Sequence, residues 1–171
     1  AYPDISIALG GAFVNVMFDG GELQALVNAM KEYGIDYAVH SFNSEVDFKN
    51  LLLERKKGKQ NLGSLPNIIE LNSSAKNGFV EGPRKWNDPV LGESPATWHT
   101  LNMPFLNKTI QLRTSSGCSF SCAFCSYPET ARGVHLMEVD RVEEHIKSAL
   151  KIPNIQNIIF IDDTFNVPIP R

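Results

Sequence analysis

The 171 residues include 16 basic and 19 acidic side chains, a formal net charge of -3, and 43% of them are hydrophobic. That balance makes no electrostatic case for nucleic acid or an anionic membrane as partner, and no apolar run approaches the ~20 residues of a membrane span. With no signal-peptide pattern at its start, the chain reads as a soluble globular protein with a substantial core.

Taken in order, Ile5-Ser-Ile-Ala-Leu9 is a β-branched run closed by Gly10-Gly11, which predicts a buried strand and a tight turn. Leu23, Leu26, Val27 and Met30 recur at helical spacing over 22–33, and Gly34 stands where a helix stop belongs. Residues 35–39 predict a second strand. Residues 46–57 predict a second helix, with Phe48, Leu51 and Leu52 inward and Arg55, Lys56 and Lys57 at the end the helix dipole favours for cations. Strand, helix, strand, helix with short connections predicts a parallel sheet of Rossmann-like type.

Residues 61–107 are poorer in periodic runs and hold Pro66, Pro83, Pro89, Pro95 and Pro104. Residues 65–71 and 78–81 predict a small strand pair across the Asn72–Asn77 turn. The rest reads as an extended connector, pinned to a domain surface by Trp86 and Trp98; His99 carries no assigned role. Thr109–Arg113 then alternates as a half-buried strand. Residues 139–151 predict a helix with Asp140 as N-cap, Glu143 three residues on, and an apolar stripe of Val142, Ile146, Ala149 and Leu150. Residues 157–161 predict a buried strand ended by Asp162-Asp163-Thr164-Phe165. This is the opening unit of a TIM-like partial barrel, whose active groups sit on loops at the strands' C-terminal ends. The expected division is 1–60, 61–107 and 108–171. Because the chain opens on Ala1 and stops at Arg171 soon after an apolar strand, it reads as a segment of a longer protein. An open sheet edge after Ile161 would then make it poorly soluble alone.

All three cysteines lie in one loop, as Cys118-Ser-Phe-Ser-Cys122-Ala-Phe-Cys125. A disulfide would leave one over, and a structural zinc site wants four ligands, usually in two separated pairs. Three clustered thiolates suit an iron–sulfur cubane that keeps one iron free of protein. Such close cysteines, and an oxygen-labile cluster, argue for a reducing cytoplasm.

At these residues the chain resembles the cluster-binding loop of radical S-adenosylmethionine (SAM) enzymes. The resemblance implies that Cys118, Cys122 and Cys125 hold a [4Fe-4S] cluster, that SAM chelates the fourth iron, and that Phe124 lies beside the adenine. It implies reductive cleavage of SAM to methionine and a 5′-deoxyadenosyl radical. A small-molecule or biosynthetic-intermediate substrate and an electron donor such as flavodoxin or ferredoxin go with that chemistry. Asp162 and Asp163 stand where the family carries a Gly-Gly-Glu-type segment that contacts the SAM amino group; the plain alternative is aspartates capping a strand-end turn. Arg132 stands where relatives place a basic residue near the cluster or the SAM carboxylate, or else is an ordinary surface arginine. Tyr127 is expected to pack under the loop.

The first third resembles the later half of a cobalamin-binding domain, as fused ahead of some radical SAM cores. Gly10 and Gly11 would there let the corrin's nucleotide tail pass close to the backbone; the alternative is a turn that needs positive φ. The family's Asp-x-His-x-x-Gly signature is absent, and His40-Ser-Phe-Asn-Ser-Glu45 stands in place of an acidic turn. His40 is expected to be a satisfied loop histidine. Together these features imply cobalamin-dependent methyl transfer or a related radical modification. Two readings of other classes stay open: an electron-transfer module with a fully ligated cluster, and a structural zinc module in which His135 joins the cysteines. No Ser-His-Asp or Walker arrangement supports a hydrolase or a P-loop protein.

Overall fold

The computed structural model describes residues 5–87, 91 and 108–165. Trp98 and His99 lie outside them. The chain packs as two compact units, Ala1–Asp88 and Pro89–Arg171. Among the described residues no helix is long and apolar enough to cross a membrane.

The first unit runs β1 (Ala8–Leu9), α1 (Ala12–Asp19), α2 (Leu23–Tyr33), β2 (Tyr37–Val39), α3 (Ser44–Lys56), a 3-10 turn (Leu62–Ser64), β3 (Ile68–Leu71) and β4 (Phe79–Glu81). Its sheet has the order β1-β2-β3-β4. The β1–β2 pair is parallel as expected, but β2–β3 and β3–β4 are antiparallel, so the sheet is mixed rather than all parallel. The expected strand pair 65–71 and 78–81 forms β3 and β4. Those strands complete the first sheet, so the stretch read as connector is built into the first unit at least this far.

Register explains the core. Ala38 pairs with Ile69 and Val39 with Ile68. Cross-strand partners share a face, so each pair feeds a different cluster. Ala38 and Ile69 meet Val14, Leu26, Val27 and Met30 on one side; Val39 and Ile68 meet Leu51 and Leu62 on the other. Gly34, left-handed at φ 66°, ends α2 where expected. In α3 only Leu51 of the three expected inward residues is buried, while Phe48 is 42% and Leu52 51% exposed. The inner face belongs instead to Asp47, one turn before Leu51. Its Oδ2 accepts bonds from Ser41 Oγ (2.6 Å), Asn67 Nδ2 (2.9 Å) and Asn87 Nδ2 (2.7 Å). Asn67 also donates to the Lys85 carbonyl and accepts from the Lys85 amide. These bonds bind residues 83–87 to the sheet, and Trp86 stacks on Phe42, the surface pinning expected of it.

The second unit contains β5 (Thr109–Leu112), β6 (Ser115–Ser116), α4 (Tyr127–Ala131), β7 (His135–Leu136), α5 (Val139–Ala149) and β8 (Asn157–Phe160). Strands β5 and β8 are parallel, with Thr109 opposite Asn157 and Leu112 opposite Phe160. Their core is small: Ile110, Ala149 and Ile152, flanked by Ile155 and Ile158. Three expectations are corrected here. Helix α5 is preceded by Glu138 with no side-chain cap bond, so Asp140 is not its N-cap. Leu150 lies beyond the helix and is 67% exposed, while His145 and Ser148 turn inward. Strand β8 is not buried, because Ile159, Phe160 and Ile161 face outward, with Phe160 against Phe165.

Candidate functional site

Strand β5 delivers the chain to Thr114, and the cysteine loop begins there. The loop is closed at its base by the antiparallel ribbon of β6 and β7, Ser115 opposite Leu136 and Ser116 opposite His135. Gly117 sits at φ 92°, and a Cβ there would lie 1.8 Å from the Gly133 carbonyl oxygen. Only glycine lets the two arms of the loop approach this closely.

Within the loop, Cys118 is half-buried, Cys122 and Cys125 are exposed, and all three thiols are free. A turn bond from the Cys125 amide to the Cys122 carbonyl (3.0 Å) sets the spacing of the last two. Phe124, between them in sequence, is 92% exposed. Helix α4 follows with Pro128 in its first turn and ends at Arg132, which is exposed and left-handed at φ 54°.

The segment after β8 meets this loop from the other strand end. Asp162 Oδ1 accepts from the Thr114 amide (2.5 Å) and the Ser115 amide (2.8 Å), and Oδ2 accepts from the Thr114 hydroxyl. Asp162 thus caps backbone amides, as the plain alternative had it. Asp163 is exposed and accepts a bond from the Tyr127 hydroxyl at 2.5 Å. Burial, and then this bond, push the Tyr127 hydroxyl above its ordinary range. Thr164 Oγ1 lies 3.1 Å from Cys118 Sγ. Tyr127 therefore packs against the loop as expected, and Thr114, Gly117 and Thr164 are partners that the cysteine pattern did not point to. A row of hydroxyls, Thr114-Ser-Ser, directly before the glycine was the available signal.

The donor set fits a three-thiolate holder: three unpaired sulfurs within eight residues of one loop. Among the described residues no three His, Cys, Asp or Glu side chains are grouped closely enough to hold a metal ion. The sulfurs would have to draw together around whatever they bind. The same holds for a zinc site built with His135, which sits in the ribbon opposite Ser116.

The first unit has a groove of its own. Gly10 and Gly11 follow β1, and Gly11 at φ 91° leads into α1 with no atom within 4 Å of the place a Cβ would take. A groove of about 260 Å³ opens beside them, lined by Leu9, Val39, Ser44 and Phe48. It lies at the C-terminal ends of the parallel pair, where open α/β sheets take their ligands. The partial exposure of Phe48 follows from its place on this wall.

His40 is not the satisfied loop histidine expected. It is buried and stacked on Phe18 (centroids 3.8 Å apart), and among the described residues neither ring nitrogen has a hydrogen-bond partner. Burial and then the nearby Arg84 hold its pKa down at about 4.

No protein-family model matches the chain, and no curated protein matches it. Among solved structures it is similar to a radical S-adenosylmethionine methyltransferase, TsrM, from Kitasatospora setae, with cobalamin and a [4Fe-4S] cluster bound. The TM-score is 0.58 at 16% identity, over 97% of this chain and 32% of that one. The same enzyme with tryptophan substrate and the SAM analog aza-SAM bound gives 0.58 at 17% identity, over 97% and 31%. The chain thus has the fold of the matching part of that enzyme and spans under a third of its length.

Proposed function

We propose that this chain carries the cluster loop and part of the cobalamin-type domain of a radical SAM enzyme. In this reading a Rossmann-like first unit precedes the opening units of a partial TIM barrel. The observation that carries it is the loop of three free cysteines at the C-terminal end of β5, in a chain whose fold follows a cobalamin-binding radical SAM methyltransferase over 97% of its length. Cys118, Cys122 and Cys125 would hold a [4Fe-4S] cluster, leaving one iron open to SAM. When bound and reduced, such a cluster supplies the electron that cleaves SAM; the protein's own residues bind, orient and exclude water. Phe124 offers an exposed aromatic face to the adenine. Asp163 offers an exposed carboxylate, and a carboxylate suits a charged amino group. Arg132, exposed at the end of α4, offers a cation. Gly10 and Gly11 leave room beside the first unit's groove for the nucleotide tail of cobalamin. The reaction of the whole protein would be methyl transfer to a small-molecule substrate, with a reduced flavodoxin or ferredoxin as electron donor in the cytoplasm.

The test is anaerobic iron–sulfur reconstitution followed by EPR of the reduced protein with and without SAM. A [4Fe-4S]+ signal that shifts when SAM is added, and is lost in Cys122→Ala, is the expected result. Stoichiometric zinc in place of a cluster would overturn the reading in favour of a structural metal module. A cluster indifferent to SAM would point to electron transfer, or to too little of the protein being present to complete the SAM site.

A further inference from the structure

Three consecutive residues after β8 touch the cysteine loop at three separated points. Asp162 takes both amides and the hydroxyl at the loop's start, Thr114 and Ser115. Thr164 reaches the first cysteine, with its Oγ1 3.1 Å from Cys118 Sγ. Asp163 takes the Tyr127 hydroxyl, two residues past the last cysteine. The Tyr127 oxygen in turn lies 3.4 Å from the Gly117 amide, which donates to it. The loop runs from Thr114 to Tyr127, and each of its ends is tied to the same strand end.

From this arrangement we infer that Asp162-Asp163-Thr164, with Tyr127, is a clamp that sets the shape of the cysteine loop. Asp162 and Tyr127 are positioning residues. The chemistry fits that role. Both Asp162 oxygens are engaged by the loop's start, and Thr114 and Ser115 are themselves buried, so the carboxylate answers donors that have little water to turn to. Asp163 differs: one oxygen holds Tyr127 while the side chain stays exposed. Adjacent aspartates thus divide the work, the first inward to the loop's base and the second across its far end. The consequence for the proposed cluster site rests on the reading above; the clamp itself does not.

The experiment is hydrogen–deuterium exchange of residues 114–127 in the metal-free protein, with α5 and the first unit as internal reference. Asp162→Ala should speed exchange at Thr114 and Ser115 by roughly tenfold or more, as loss of an acceptor for buried donors implies. Asp162→Asn keeps an oxygen for the two amides and should stay within about twofold of the parent. Tyr127→Phe, which removes one hydroxyl and nothing else, should speed exchange at Gly117 alone. Should Asp162→Ala unfold the whole unit, Tyr127→Phe still decides the matter. Unchanged exchange in both Asp162→Ala and Tyr127→Phe would overturn the clamp. After reconstitution, Asp162→Asn should retain a SAM-dependent EPR change. Loss of that change at parental exchange rates would make Asp162 a cofactor contact and overturn its positioning role. If the parent protein takes up no cluster at all, the radical SAM reading fails while the exchange data still test the clamp.

Discussion

The polar groups of the two units are spent in opposite ways. In the first unit Asp47, Asn67 and Asn87 turn inward, and the carboxylate at the centre is buried with three donors around it. In the second, Cys122, Cys125 and Phe124 are exposed on a loop whose only buried polar residues are those at its base, and Asp163 is exposed on the segment beside it. Internal hydrogen bonding makes a scaffold stiff and specific, but it uses up the groups that could meet a ligand. A binding loop needs the reverse, with satisfied ends and an open middle.

The largest expected effect lies in the first unit. Asp47→Ala strips the acceptor from three donors and should cost about 3 kcal/mol or more, read as a lower denaturation midpoint. A loss below about 1 kcal/mol would mean that water replaces the carboxylate and that the contrast between the units is overstated.

The next effect is one of pH. His40 titrates near 4 in the folded protein, below its unfolded value of about 6.5, so the unfolded chain binds the extra proton between those values. Stability is therefore full above about pH 6.5 and falls as pH drops towards 4, by about 3 kcal/mol. The sign follows from the surroundings: burial and the Arg84 guanidinium disfavour the charged ring, and Asp47 and Asp19 offset them only in part. Thermal melts of His40→Phe should lose this slope, since phenylalanine can keep the stack on Phe18. A slope that survives the substitution would shift the cause to the carboxylates.

The smallest effect sharpens the other side of the comparison. Phe124→Ala removes an aromatic ring that touches almost nothing, so stability should stay within about 0.5 kcal/mol. On the proposed function, a SAM-induced EPR change should weaken all the same. A clear loss of stability would mean that Phe124 packs in the folded chain.

Much of this was readable in advance where the signal was local. Helix α2 follows from Leu26, Val27 and Met30 at helical spacing and from Gly34 at its stop, because a single face and a single cap suffice to define it. Helix α1 carries a weaker signal although Val14, Met17 and Phe18 have the same spacing. Its two β-branched valines, and a glycine rather than a capping side chain before it, carry weak helical propensity. The inward faces of α3 and α5 depart from their apolar spacing for a different reason. Apolar spacing ranked Phe48, Leu52 and Leu150 as core, whereas the packed positions went to Asp47, His145 and Ser148. A polar residue earns an inner position only when partners distant in sequence are there to bond it, as Asn67 and Asn87 are for Asp47.

The sequence by itself determined the three-cysteine loop, its place after a strand, the α2 helix and the small hairpin, since each depends on residues a few positions apart. The tertiary structure alone decided how the first sheet mixes its strand directions, that Gly117 packs against the Gly133 carbonyl, and which end of the loop each of two adjacent aspartates bonds. Those outcomes hang on contacts between segments that only folding brings together: 48 residues separate Thr114 from Asp162. No local pattern encodes a hydrogen bond across that distance.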